Sequence, residues 1–100
     1  MSDLCLTLLC PPIIEEKLLD LLLMLPCTTI FTSTDTAAHG LSIGEMSQSE
    51  QVLGRVQTTQ VQVVFAAHEK EALLDNIRSQ FVGTGLRYWI TSVVEIGEIV

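Results

Sequence analysis

The stretch Gly83-Thr84-Gly85, followed by Arg87, is the part of this chain best suited to holding an anion. Glycine lets backbone N–H groups approach a ligand closely, and a guanidinium pairs phosphate or carboxylate through two hydrogen bonds. Arg55 is a second cation of the same kind, and these two are drawn from only 5 basic residues against 12 acidic ones. The plainer readings are a helix-ending turn for the glycines and pairing with acids such as Asp35 or Glu50 for the arginines. His39, beside Gly40, is the candidate metal ligand, with Cys10, Glu45, Met46 and Glu50 within reach as partners. No two ligands stand at a CxxC or HxxxH spacing, so the plainer reading of His39 is a loop histidine facing water.

Other reactive residue types carry less. Cys5, Cys10 and Cys27 lack an adjacent base or cation, and Cys10 reads as a strand-end residue packed as a small hydrophobe. Ser33, Ser42, Ser47, Ser49 and Ser92 have no GxSxG context and no His–Asp partnership. Glu15 and Glu16 fall in a helix first turn, where carboxylates complement the dipole. His68 reads as a solvated helix-start residue, and Tyr88 and Trp89 as core or interface aromatics. The expectation is a binding module without catalytic residues.

The bulk numbers bound the partners. A formal charge of -7 and the lack of a Lys/Arg stripe exclude a nucleic-acid surface. The start, MSDLCLTLLCPP, lacks a signal-peptide n-region, and LLDLLLML is too short to span a bilayer and contains Asp20. An odd 3 cysteines without a framework spacing fit a reducing, cytoplasmic setting. With 48% hydrophobic residues in 100 positions, a single small domain has too little interior for its apolar side chains. Association of copies is expected.

The elements that would position these residues alternate strand and helix. Leu4–Leu9 reads as a strand ended by Pro11 and Pro12. Ile13–Leu25 reads as a helix with Ile14, Leu18, Leu21, Leu22 and Leu25 on one side, stopped by Pro26. Thr28–Thr34 is β-branched and aromatic, hence a strand. A polar connection, Asp35–Gly54, follows. Arg55–Ala66 alternates Val61, Val63 and Phe65 with Gln60 and Gln62. His68–Val82 is a helix with Leu73, Leu74, Ile77 and Phe81 inward, and Leu86–Ile96 is the last strand.

This order, βαββαβ, predicts a ferredoxin-like α+β fold, with a four-stranded antiparallel sheet and two helices on one face. Strand directions then place Cys10, the 35–54 connection, the 83–85 turn, Arg55 and Arg87 at one end of the sheet. Cys27 and His68 fall at the other end, ~17–20 Å away, so Cys10 and Cys27 cannot share a metal within one protomer. Apolar residues on both sides of the first and last strands, Trp89 and Val93 among them, predict that the second face is buried against other copies.

Three segments, LTLLCPPIIEEKLLDLLL, HGLS with SEQVLGR (39–42 and 49–55), and LRYWITSVVEIGEI, give the chain a family likeness along nearly its whole length. It resembles the nitrogen-regulatory PII / CutA superfamily, and more narrowly a small uncharacterised family of PII-like proteins often encoded beside heavy-metal efflux pumps. The resemblance implies a homotrimer with ligand sites in the clefts between subunits, and it matches residues 35–54 to the PII T-loop, a segment that reports ligand state to a partner. The sequence departs from ATP-binding PII proteins in two places. Gly83-Thr84-Gly85-Leu86 stands where they carry Gly-Asp-Gly-Lys, and Ile96-Gly97-Glu98 replaces their C-terminal arginine pair. That argues against ATP held in the PII manner and leaves a smaller nucleotide or another anion. The expectation is a PII-like signalling trimer binding a small anionic ligand at Arg55, Gly83, Thr84, Gly85 and Arg87. Its 35–54 loop would engage a protein partner such as a membrane efflux or transport protein. The alternative is a metal-binding accessory to heavy-metal resistance, with His39 as ligand.

Overall fold

The computed structural model describes residues 2–26, 30–40 and 56–100. The first strand, β1 (Asp3–Cys10), is followed by a single 3-10 turn over Pro12–Ile14 and helix α1 (Glu15–Met24). Then come β2 (Phe31–Ala38), β3 (Val56–Ala66), a second 3-10 turn over Ala67–Glu69, helix α2 (Lys70–Phe81) and β4 (Arg87–Val93). The four strands form one antiparallel sheet in the order β2-β3-β1-β4. This is the ferredoxin-like arrangement that the alternation of elements predicts.

Each element has a local cause. Pro12 opens the first helical turn, where a missing N–H costs nothing, and Glu15 and Glu16 sit at the positive end of α1. Helix α1 buries Leu18 and Leu22, while α2 buries Leu73, Leu74, Ile77 and Phe81. These cover a sheet face built of Leu6, Leu8 and Cys10 from β1 and Val61, Val63 and Phe65 from β3. Lys17 of α1 places its Nζ 5.6 Å from the centre of the Phe81 ring, tying the two helices at one end by a cation–π contact.

Two strands differ from the sequence reading by three residues or more at an end. The second strand runs Phe31–Ala38 rather than Thr28–Thr34; Ile30 is outside it, and Thr28 and Thr29 lie outside the described residues. Asp35 to Ala38, assigned to the connection by composition, pair with Thr59 to Val56 of β3. The ladder to β3 satisfies their backbone, and an edge strand tolerates the polar side chains that its free side turns to water. The last strand ends at Val93 rather than Ile96.

Register decides which side chains share the uncovered face. Thr32, Gln62, Thr7 and Trp89 form one row across all four strands, and Thr34, Gln60, Leu9 and Arg87 form the next. Cys5, Val64 and Thr91 share a third. The sequence expectation of an apolar second face is thus refined. It is a neutral face of threonine and glutamine with a few apolar members, and its charges, Asp3 and Arg87, lie at opposite ends. Thr7 is buried between its row neighbours and takes a 3.4 Å hydrogen bond from Gln62 Nε2. Trp89 is 46% exposed.

Candidate functional site

The 83–85 turn follows α2 directly. Val82 is extended at φ -60° and ψ 134°, Gly83 takes φ 77°, and the Thr84 N–H donates to the Phe81 carbonyl at 3.2 Å. That is the pattern of a type II turn, which needs positive φ at its third residue and therefore favours glycine there. Gly85 repeats the left-handed conformation at φ 85°. A side chain at Gly85 would meet the Pro11 ring at an ordinary 3.8 Å, so its backbone conformation, not lack of space, calls for glycine.

The turn forms one wall of a cleft of about 500 Å³. Leu9 comes from the end of β1, Ala38 from the end of β2, Val56 and Thr58 from the start of β3 and Arg87 from the start of β4, while Pro11 just after β1 joins the turn beside them. By register these strand residues belong to the uncovered face, so the cleft opens at the end of the threonine–glutamine side. The predicted Gly83, Thr84, Gly85 and Arg87 are brought together here. Thr84 Oγ1 already donates to the Phe81 carbonyl at 2.6 Å, and Thr58 Oγ1 donates to the Cys10 carbonyl at 2.8 Å. Anion-directed chemistry in the cleft therefore rests on the turn backbone and the Arg87 guanidinium more than on these hydroxyls. Arg55, one residue before Val56, lies outside the described residues.

His39 is exposed and follows Ala38 at the rim of the cleft. Among the described residues no three His, Cys, Asp or Glu side chains gather as a metal site, and Glu45, Met46 and Glu50 lie outside them. Cys10 is fully buried on the helix-facing side, in line with Leu6 and Leu8, and its thiol donates to the Pro11 carbonyl at 3.4 Å. Burial first, and the nearby Glu15 carboxylate second, push that thiol up to about 11. Glu15 in turn accepts a hydrogen bond from Thr59 Oγ1 on β3, which pins the start of α1 to the sheet. At the other end His68 pairs with its neighbour Glu69 at 3.4 Å.

Leu9, Pro11, Ala38, Val56 and Thr58 are wall residues that sequence reasoning missed. None is marked by type. What assembles them is register, Cys10 opposite Thr59 and Ala38 opposite Val56, and the available signal was that both strands end where the turn must lie.

Residues 1–100 match the family described as protein of unknown function DUF3240. The chain belongs to the DUF3240 family. A crystal structure of a DUF3240 family protein from Shewanella baltica OS155 superposes at a TM-score of 0.83 with 17% identity, covering 100% of this chain and 99% of that one. CutA1 from Pyrococcus horikoshii gives 0.70 at 12% identity, covering 96% and 87%. GlnK of B. subtilis, in a complex with ATP, gives 0.68 at 12% identity, covering 92% and 82%. Among curated proteins no sequence matches. The DUF3240 fold is therefore that of GlnK and CutA1, as the resemblance implies. Among the described residues no helix is long and apolar enough to cross a membrane.

Proposed function

We propose that this DUF3240 chain is a PII-like homotrimeric regulatory module that binds a small anion and signals through its 35–54 segment. The observation that carries the reading is the position of the cleft. Its wall holds two left-handed glycines and Arg87, it lies where β2 and β3 open into the 39–55 connection, and it is continuous with the neutral sheet face. A second and third copy seated on that face would complete the cleft from the other side. An anion bound there would touch the base of the 35–54 segment, which in this reading engages a protein partner such as a membrane efflux or transport protein. The GlnK relative holds ATP. Here the turn has Thr84 in place of an acid and Leu86 in place of a lysine, so the ligand in this reading is smaller than ATP or less charged. The reading assigns no catalytic step.

Thermal melts with nucleotides, phosphate and small carboxylates test it. A ligand should raise the melting temperature of the wild type, and Arg87→Ala should keep the oligomeric mass while losing that shift relative to its own ligand-free melt. No shift with any anion would refute the anion site and bring forward the metal reading at His39, which metal titration tests directly.

A further inference from the structure

A second cavity, of about 260 Å³, lies on the helix side, between α2 and β4. Leu74, Ile77 and Phe81 of α2 form its inner wall, with Val82, Leu86 and Tyr88 toward its mouth. Arg78 stands at the mouth, held by a 3.0 Å hydrogen bond from its Nη2 to Tyr88 Oη and by Asp75 at 3.8 Å. The cavity is below the roughly 300–1,000 Å³ usual for small-molecule sites. It suits apolar side chains of a peptide, and β4 beside it is an edge strand whose outer backbone is open to pairing.

The same chain carries a segment of matching chemistry. Residues 94–100, Val-Glu-Ile-Gly-Glu-Ile-Val, follow β4 and leave Val94, Ile96, Ile99 and Val100 exposed, three of them completely. In extended conformation Val94, Ile96, Glu98 and Val100 share one side, about 6.8 Å apart in successive pairs. That side is apolar with one carboxylate, as the groove is apolar with one guanidinium. The segment cannot reach its own groove in this register. It leaves from the end of β4 far from Tyr88, and a tight turn back along the same edge would take Val94 into the turn and out of the row.

We infer that the 94–100 segment of one copy docks in the α2–β4 groove of a second copy, with Ile96 in the apolar slot and Glu98 on Arg78. Strand addition to the edge of β4 supplies backbone hydrogen bonds, and the side chains set the register. The inference shares with the proposed function only the premise that copies associate.

A photoreactive benzoylphenylalanine at Ile96, and separately at Val100, tests it on the full chain. Irradiation should give covalent dimers whose cross-linked peptide lies within residues 74–88, and mixing isotope-labelled with unlabelled protein should show that the link joins two copies. Arg78→Glu should lower the dimer yield several-fold, and adding Glu98→Arg to that variant should restore it. Cross-links confined to other surfaces or within one copy, in a protein that keeps its oligomeric mass, overturn the docking and leave the trimer standing. So does a yield unmoved by the charge swap. A monomeric mass by light scattering overturns both.

Discussion

Alkaline pH should destabilise this protein through one buried thiol. Cys10 is fully buried in the helix-facing core, and its ionisation moves from the ordinary 9.0 to about 11. Below pH 9 the thiol is protonated in the folded and the unfolded chain, so the stability it contributes is complete. Between 9 and 11 the unfolded chain releases the proton and the folded chain keeps it. Stability therefore falls as the pH rises through this window, by about 3 kcal/mol in all once the pH has passed the folded value. Against a domain stability of about 5–15 kcal/mol, such a loss is large. Urea unfolding of wild type and Cys10→Ala, run at intervals from about pH 8 to 11, isolates the effect. Every other side chain is common to both proteins, so its contribution cancels in the difference. The variant should start less stable, having lost the buried sulfur, and then converge on the wild type as the pH rises. Curves that stay parallel would refute the reasoning. A supporting result bears on metal chemistry as well, since at neutral pH roughly one Cys10 in ten thousand would be a thiolate, the form that binds soft metals.

Trp89→Glu puts a carboxylate on the β4 side of the neutral face; light scattering should show loss of the assembly, and an unchanged oligomeric mass would contradict the proposed interface. Gly83→Ala forces a side chain into the left-handed region, which should cost about 1–2 kcal/mol and lower the melting temperature, while Gly97→Ala, where φ is not positive, should not. Leu8→Ala removes a fully buried side chain between the sheet and α2, and denaturant unfolding should show a loss of about 2–5 kcal/mol.

How far the sequence reaches can be judged from particular elements. The alternation of Val61, Val63 and Phe65 marks β3 because one face of that strand is fully buried, and period-two burial writes itself into residue type. Helix α2 is legible for the same reason at a period of 3.6. Strand β2 is legible only in its first half, Phe31 to Thr34, because it is an edge strand with a largely exposed composition; what holds Asp35 to Ala38 extended is the partner β3, and a partner leaves no mark on the strand that depends on it. At the candidate site, Gly83 and Gly85 announce themselves because positive φ restricts the residue type. Thr58 and Ala38 do not, because any small residue can line a cleft. Cys10 was readable as buried, but the influence of Glu15 on it depends on how α1 folds back over the end of β1.

The turn Val82–Gly85 borders both cavities. Gly83 and Gly85 face the 500 Å³ cleft on one side and the 260 Å³ groove on the other. A wall two glycines thick cannot answer to one occupant without being felt by the other. If filling the groove settles the turn in the geometry that suits an anion, assembly raises affinity for the anion; by thermodynamic reciprocity, the anion then tightens assembly by the same factor. Dilution and ligand concentration would become interchangeable variables for this protein, and its degree of association would itself be a readout of how much anion is present.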